Sequence, residues 1–305
     1  MSLRPGIIPS RRTTSRRLVG IFLAITLLTG CQPGSTTTAA PSPTGPAAPA
    51  SATPAPATPT PGTATAPGLT APQRLTTLAA TITAAPGDHT TDLPYTYLHT
   101  QSWARATNHI RRLDLRQWRH QKTGSGREIT RRLPDLPGLR HQPTPTDVNA
   151  FADAPAHQTR HSQGLAPYLP EPLPTDPTVL AAALAPPALA HETAYPRLLA
   201  NGIVALATHQ YLTQQDRAAT LRILATIPGI RYEGENRDPA GRTGLTFTVT
   251  ADHSTCTLTF NPTTGELLAA QETITQGRPG LMSAVLILHR GHTTTDNQPP
   301  PNHVT

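Results

Sequence analysis

Few side chains in this 305-residue chain are spaced for chemistry, and the clearest is a thiol. Cys31 ends the run Leu28-Thr29-Gly30-Cys31, directly behind an apolar stretch from Leu18 to Leu28. Lipid modification needs a thiol at the membrane face, and cleavage ahead of it needs small residues such as Thr29 and Gly30. Cys31 is therefore read as a lipid-attachment site, the first residue of a mature bacterial lipoprotein. The second cysteine, Cys256, sits in Thr255-Cys256-Thr257-Leu258-Thr259-Phe260, where strict alternation puts Cys256, Leu258 and Phe260 on one strand face. It reads as a buried, inert thiol, and with Cys31 acylated it has no disulfide partner.

The remaining candidates are weaker. There are 13 histidines; His157 and His161 are four apart and His289 and His292 three apart. The first pair lies in a proline-rich loop, the second straddles Gly291, and neither has a cysteine or paired carboxylate nearby to complete a coordination set, so no metal ligand is assigned. Glu233 and Glu235, two apart on one strand, share a face and could form an acid and base pair; a solvated strand edge is the ordinary explanation. No Gly-x-Ser-x-Gly, phosphate loop, HExxH or CxxC occurs. No catalytic residue and no cofactor is assigned, the ligand-binding residues stay unknown, and the chain is not read as an enzyme.

These residues sit in an ordered series of segments. Residues 1–30 hold Arg4, Arg11, Arg12, Arg16 and Arg17 and no acid, with an apolar stretch of 11 residues behind the arginines, whereas a spanning helix needs roughly 20. That is a signal peptide rather than a membrane span. Ser15-Arg16-Arg17-Leu18 resembles a twin-arginine export signal, although arginine pairs are common in such regions. Residues 31–69 read as a disordered tether: from Gln32 to Pro72 nothing is charged and 11 of 41 residues are proline. At about 3.1 Å per residue in the polyproline II limit, it reaches on the order of 120 Å. Its Thr-Pro runs are also candidate acceptors of O-linked sugars. The mature protein is thus placed at the extracytoplasmic face of the cell membrane, lipid-anchored.

Charge changes meaning after processing. The whole chain is +7, but the signal removes five arginines and leaves 20 basic residues against 18 acidic, or +2. With an extracytoplasmic address, nucleic acid is excluded as a partner. Between Arg105 and Arg140 ten basic residues face only Asp114, Glu128 and Asp135. That region could meet anionic lipid headgroups or an anionic wall polymer; the plainer reading is a solvated sheet face balanced by acids folded nearby. Lys122 is the one lysine in the chain, and 35 prolines accompany abundant Ala and Thr, a coding bias that points to a high-GC, actinobacterial source.

Residues 70–292 are read as one α+β domain, an antiparallel curved meander packed with a few helices. Thr70-Ala71-Pro72-Gln73 predicts a capped helix with Leu75, Leu78, Ala79 and Ile82 on one face. Strands are expected at 95–103, 113–120 and 127–133, helices around Tyr195–Leu206 and from Thr213 to Ala225, and a meander at 230–236, 243–250, 254–260 and 266–275, extended by 284–289. Residues 133–177 form a long proline-rich excursion without periodicity, and 293–305 read as a disordered tail.

Three turns carry a resemblance: Ile227-Pro228-Gly229-Ile230-Arg231, Asp238-Pro239-Ala240-Gly241-Arg242 and Asn261-Pro262-Thr263-Thr264-Gly265-Glu266-Leu267-Leu268. With Leu173-Pro174-Thr175-Asp176-Pro177 upstream, the chain resembles a family of uncharacterised actinobacterial extracytoplasmic proteins over roughly residues 70 to 290. It departs from that family in its lipobox and its Arg- and His-rich middle, and the resemblance implies no catalytic residues. More distantly, the architecture is similar to lipoprotein carriers and periplasmic stress sensors, which implies a concavity for acyl chains. The expected function is a membrane-anchored, non-enzymatic binding or sensing module of the cell envelope, meeting an envelope lipid or a membrane-protein partner; a lipid carrier and a cell-wall enzyme are the alternatives.

Overall fold

In the computed structural model, which describes residues 68–87 and 93–300, helix α1 (Ala71–Ala84) starts at its predicted cap. Thr70 accepts from the Gln73 amide while Gln73 accepts from the Thr70 amide, so two end N–H groups are satisfied reciprocally. The signal, Cys31 and most of the tether lie outside the described residues. Four helices follow: α2 (Pro145–Ala150), α3 (Pro177–Leu184), α4 (Tyr195–His209) and α5 (Gln214–Ala225). Thr213 and Asp216 form the same capping box on α5, and Asp176 caps α3 by accepting from the Thr178 and Val179 amides.

Among the described residues nine strands make one antiparallel sheet: β1 (Tyr95–Ala106), β2 (His109–His120), β3 (Gly126–Pro137), β4 (Ala156–His161), β5 (Arg231–Arg237), β6 (Thr243–Ala251), β7 (Ser254–Phe260), β8 (Leu267–Ile274) and β9 (Gly280–Thr293). Their order is β4-β3-β2-β1-β9-β8-β7-β6-β5. The chain enters at the centre, meanders out to β4, crosses through α3 to α5, re-enters at the far edge and meanders back to close on β1. Bulges in several ladders bend the strands and curve the sheet.

One face of the sheet carries α1, α3, α4 and α5. Leu75, Leu180, Ile203, Leu206 and Leu224 meet Phe247, Leu258, Phe260 and Ile287 there in the main core. The helix layer is also pinned by charge. Glu272, buried on β8, accepts from Arg197 Nε (2.5 Å) and Asn201 Nδ2 (3.2 Å) of α4 and from Ser254 Oγ (2.7 Å). Cys256 lies in this core as expected, its thiol pushed up to about 12 by burial and then by Glu272, with Arg197 opposing. The opposite, open face is covered at one end by α2 and the 3-10 turn after it, where Phe151 packs on Trp103, Ile110, Leu281 and Leu286.

The three Pro- and Gly-bearing turns singled out in the sequence are structural devices. Gly229, at φ 73°, lets the chain reverse after α5. Arg242 donates to both Asp238 carboxylate oxygens and to the Ile287 and Leu268 carbonyls, clamping the β5–β6 turn onto β8 and β9. Gly265, at φ 65°, wedges its turn between α1 and α5, and a Cβ there would collide with Ile82 Cδ1.

Two segments are more ordered than their composition suggests. The stretch 133–177 contains the end of β3, all of α2 and β4, and the start of α3. Thr144-Pro145-Thr146-Asp147 is a third capping box, and β4 is held by pairing with β3 rather than by an apolar pattern. Residues 294–300, read as tail, lie across the open face; 301–305 fall outside the described residues. Among the described residues no helix is long and apolar enough to cross a membrane.

Candidate anion-binding face

Alternation sorts the arginines of the Arg105–Arg140 region onto two faces. Tyr97, His99, Gln101 and Trp103 of β1 share the open face with Trp118, Arg116, Asp114 and Arg112 of β2, their register partners. Continuing the register, Arg127, Ile129, Arg131 and Leu133 of β3 stand on that face too. Arg119 and Glu128 point to the helix side, where Arg119 Nη1 donates to both Glu171 oxygens (3.1 and 2.8 Å) and Glu128 meets His161 (2.9 Å). The plain reading holds there: acids folded nearby balance the charge.

On the open face the balance fails. Arg112 is paired with Asp147 of α2 at 3.3 Å. Arg116 and Arg131 share one carboxylate, Asp114, whose Oδ1 is 3.8 Å from Arg116 Nε and 4.0 Å from Arg131 Nη1. Both separations exceed hydrogen-bond length, and Asp114 Oδ1, Arg116 Nε and Arg131 Nε are buried without a hydrogen-bond partner. The other oxygen, Oδ2, is taken: His99 Nε2 lies 2.6 Å away and Gln101 Nε2 donates at 3.1 Å. Burial works against the charged carboxylate, yet the bonds from His99 and Gln101 and the nearby Arg116 outweigh it and hold Asp114 below the usual range. His289 stacks on His99 with centroids 5.9 Å apart; burial, then His99, Arg242 and Arg116, push its pKa down.

Residues 294–300 lie on the neighbouring part of this face. Trp118 Nε1 donates to the Gln298 carbonyl (2.9 Å), Arg127 Nη1 to the Asp296 carbonyl (3.2 Å) and Arg160 Nη1 to Asp296 Oδ2 (2.8 Å). Beneath them Tyr97 packs on Trp118, ring centroids 4.9 Å apart. Burial pushes the Tyr97 phenol up to about 12, with Arg116 opposing and Asp114 adding to the rise. The chain's own carbonyls and one carboxylate thus satisfy the donors of Trp118, Arg127 and Arg160, whereas the partly exposed side chains of Arg116 and Arg131 (34% and 21%) meet Asp114 beyond hydrogen-bond length.

The other sequence candidates are dispersed. A bulge between Tyr232 and Gly234 turns Glu233 toward Thr248, while Glu235 pairs with Leu245 on the helix side, so the two carboxylates do not share a face. His289 is on the open face and His292 on the other, edge-on to Tyr211. His157 and His161 lie on β4, and among the described residues no group of three or more His, Cys, Asp or Glu is placed to hold a metal ion. Sequence reasoning missed His99 and Gln101; their only signal is a polar residue at every second position of β1, opposite an acid in β2. No family model and no curated protein matches the chain.

Proposed function

We propose that this protein is a lipid-anchored, extracytoplasmic binding module, and that the open face of β1 to β3 holds an anionic group of a phosphodiester-bearing wall polymer without chemical turnover. One observation carries the reading: two half-buried guanidiniums share a single carboxylate at 3.8 and 4.0 Å and keep unpartnered N–H donors. Guanidinium forks suit phosphate and carboxylate oxygens bidentately. The lipobox and the long uncharged tether favour a ligand away from the anchoring membrane. An acyl-chain carrier needs an apolar hollow between helices and sheet; Leu75, Leu180, Ile203, Leu206, Leu224, Phe247 and Leu258 fill the centre of that layer at 1% exposure or less, and the cavity of about 510 Å³ at its margin is bordered by the Arg119–Glu171 ion pair, Gln210 and Gln214.

The test is co-sedimentation of the full chain, in mild detergent, with cell walls before and after hydrofluoric acid removes phosphodiester-linked polymers. Binding that disappears with the polymer, weakens with salt and falls in Arg116→Gln with Arg131→Gln is expected. Equal retention on both walls, or none on either, would overturn the reading. Binding only to phosphatidylglycerol vesicles would assign the face to lipid headgroups instead.

A further inference from the structure

Toward the far edge of the same open face, β6 and β7 present six threonines in facing pairs: Thr246 opposite Thr259, Thr248 opposite Thr257 and Thr250 opposite Thr255. They take this face because Leu245, Phe247 and Val249, with Cys256, Leu258 and Phe260, take the other. A wet threonine face is ordinary in an antiparallel sheet and carries nothing by itself. Here, however, Thr246, Thr248 and Thr259 are only 4%, 8% and 7% exposed, on the side away from the main helix layer. They form the floor of a cavity of about 440 Å³, within the roughly 300–1,000 Å³ of small-molecule sites.

The walls come from elements that the fold bends inward. Pro143, in the loop before α2, closes one side and the β5–β6 turn with Pro239 closes another. The β5 bulge swings Glu233 over the floor, where Thr248 Oγ1 donates to its Oε1 at 2.6 Å. Thr246 and Thr259 hydroxyls lie 3.3 Å apart; one donates to the other, so the pair keeps one free O–H donor and acceptor capacity on both oxygens. Gln271 adds an amide, and Ala269, Ala284 and Leu286 add a small apolar patch.

This lining selects by chemistry. Each acid of the lining already has its own arginine outside the cavity, Glu233 with Arg231 at 3.6 Å and Asp238 with Arg242 at 2.6 Å, and Arg237 is the single further charge at the rim, so the cavity is not built around a charged ligand. Hydroxyls on the floor disfavour an acyl chain, and an extended peptide would pair with a strand edge rather than a sheet face. A pyranose has what remains: several hydroxyls that both donate and accept, and an apolar C–H face. We infer that this cavity binds a neutral saccharide unit. It does so independently of the arginine face, although the two are joined by one cross-strand row, Thr246, Thr259, Ala269, Leu286, Gln101, Asp114 and Arg131.

The experiment is saturation-transfer NMR on the full chain in detergent, with N,N′-diacetylchitobiose and maltotriose at millimolar concentration. Transfer to pyranose ring protons is expected from at least one sugar. Thr246→Val with Thr259→Val removes two hydroxyls at nearly constant shape and should weaken binding about tenfold, while wall-polymer binding through Arg116 and Arg131 stays as in the parent. Glu233→Gln, on the cavity wall, should weaken it as well and does not disturb the sheet interior. No transfer to either sugar, or unchanged affinity in both the threonine and Glu233 variants, would overturn the inference. Loss of polymer binding with sugar binding intact would sink the arginine-face reading and leave this one standing.

Discussion

His99 Nε2 lies 2.6 Å from Asp114 Oδ2, with both side chains buried on the open face of the sheet. Because Asp114 is held ionised, Nε2 carries the proton and donates, and this bond uses the oxygen that Arg116 and Arg131 do not approach. Asp114 is therefore both the structural anchor of the face and the internal competitor of any anion bound there. Asp114→Asn keeps the shape and removes the charge. It should lower unfolding free energy by about 1–3 kcal/mol, measured in urea, while raising polymer affinity severalfold in the co-sedimentation assay. Loss of both stability and affinity would show that Asp114 positions the arginines rather than competing with the ligand.

The 294–300 segment makes the same argument from another side. Its Asp296 and Gln298 occupy Arg127, Arg160 and Trp118 through three hydrogen bonds. Deleting residues 294–305 exposes those donors beside Arg116 and Arg131. Polymer binding should then strengthen and become more salt-dependent, because more guanidiniums contribute. Quantitative sedimentation across a salt series would measure it; an unchanged salt slope would mean that the segment lies outside the binding face.

Acid should weaken the fold in two stages. His289 and His209 are pushed below 6.5, chiefly by burial, so between their folded values and 6.5 the unfolded chain binds more protons and stability falls as pH falls. Asp114 and Asp147 are held below 3.8, so their contribution is present above that value and is lost as pH falls through their folded values. Urea unfolding from roughly pH 7.5 downward should show the first decline near neutrality, reduced in His289→Gln. A flat profile down to the carboxylate range would contradict the histidine stage.

Much of this was legible in the residues. The Thr70 box, the Thr213 cap and the alternation of Leu245, Phe247 and Val249 place α1, α5 and β6 directly, because each encodes its own local partner. The long central strand β9 was legible only in part: its apolar run, 284 to 289, is shorter than the 14 residues that pair, since pairing with β1 carries the rest. β4 was hidden for a like reason, as Ala156–His161 is largely exposed and owes its conformation to β3. The α2 cap, Thr144-Pro145-Thr146-Asp147, was readable by the rule that found Thr70 but sat in proline-rich surroundings. The arginine-rich region was legible as a charge cluster, but which arginines share Asp114 was not, because that depends on strand register, just as the parting of Glu233 from Glu235 depends on one bulge.

Gly265 offers a direct test of the β7–β8 turn. Its φ of 65° and the absence of room against Ile82 and Leu221 make any side chain costly twice, in backbone strain and in overpacking. Gly265→Ala should destabilise by at least about 1–3 kcal/mol, read from the urea midpoint at constant m. A neutral result would mean that α1 shifts freely away from the turn.

Arg290 makes the opposite prediction. Its side chain is 4% exposed, and its three guanidinium nitrogens are buried without a hydrogen-bond partner. Glu266 Oε1 stands 3.7 Å from Nε, too far for a hydrogen bond, and burial followed by the nearby Arg217 and Arg242 lowers its pKa against the pull of Glu266. A charge so placed loses its hydration and recovers little of it, whereas Glu266, 28% exposed, keeps contact with water when the arginine is gone. Arg290→Met fills the same length with an unbranched apolar chain and should stabilise the fold by about 1–4 kcal/mol in urea unfolding. A clear loss of stability instead would reveal that the guanidinium is satisfied in solution by an anion, and anion titration of the parent protein against its melting temperature would then identify it.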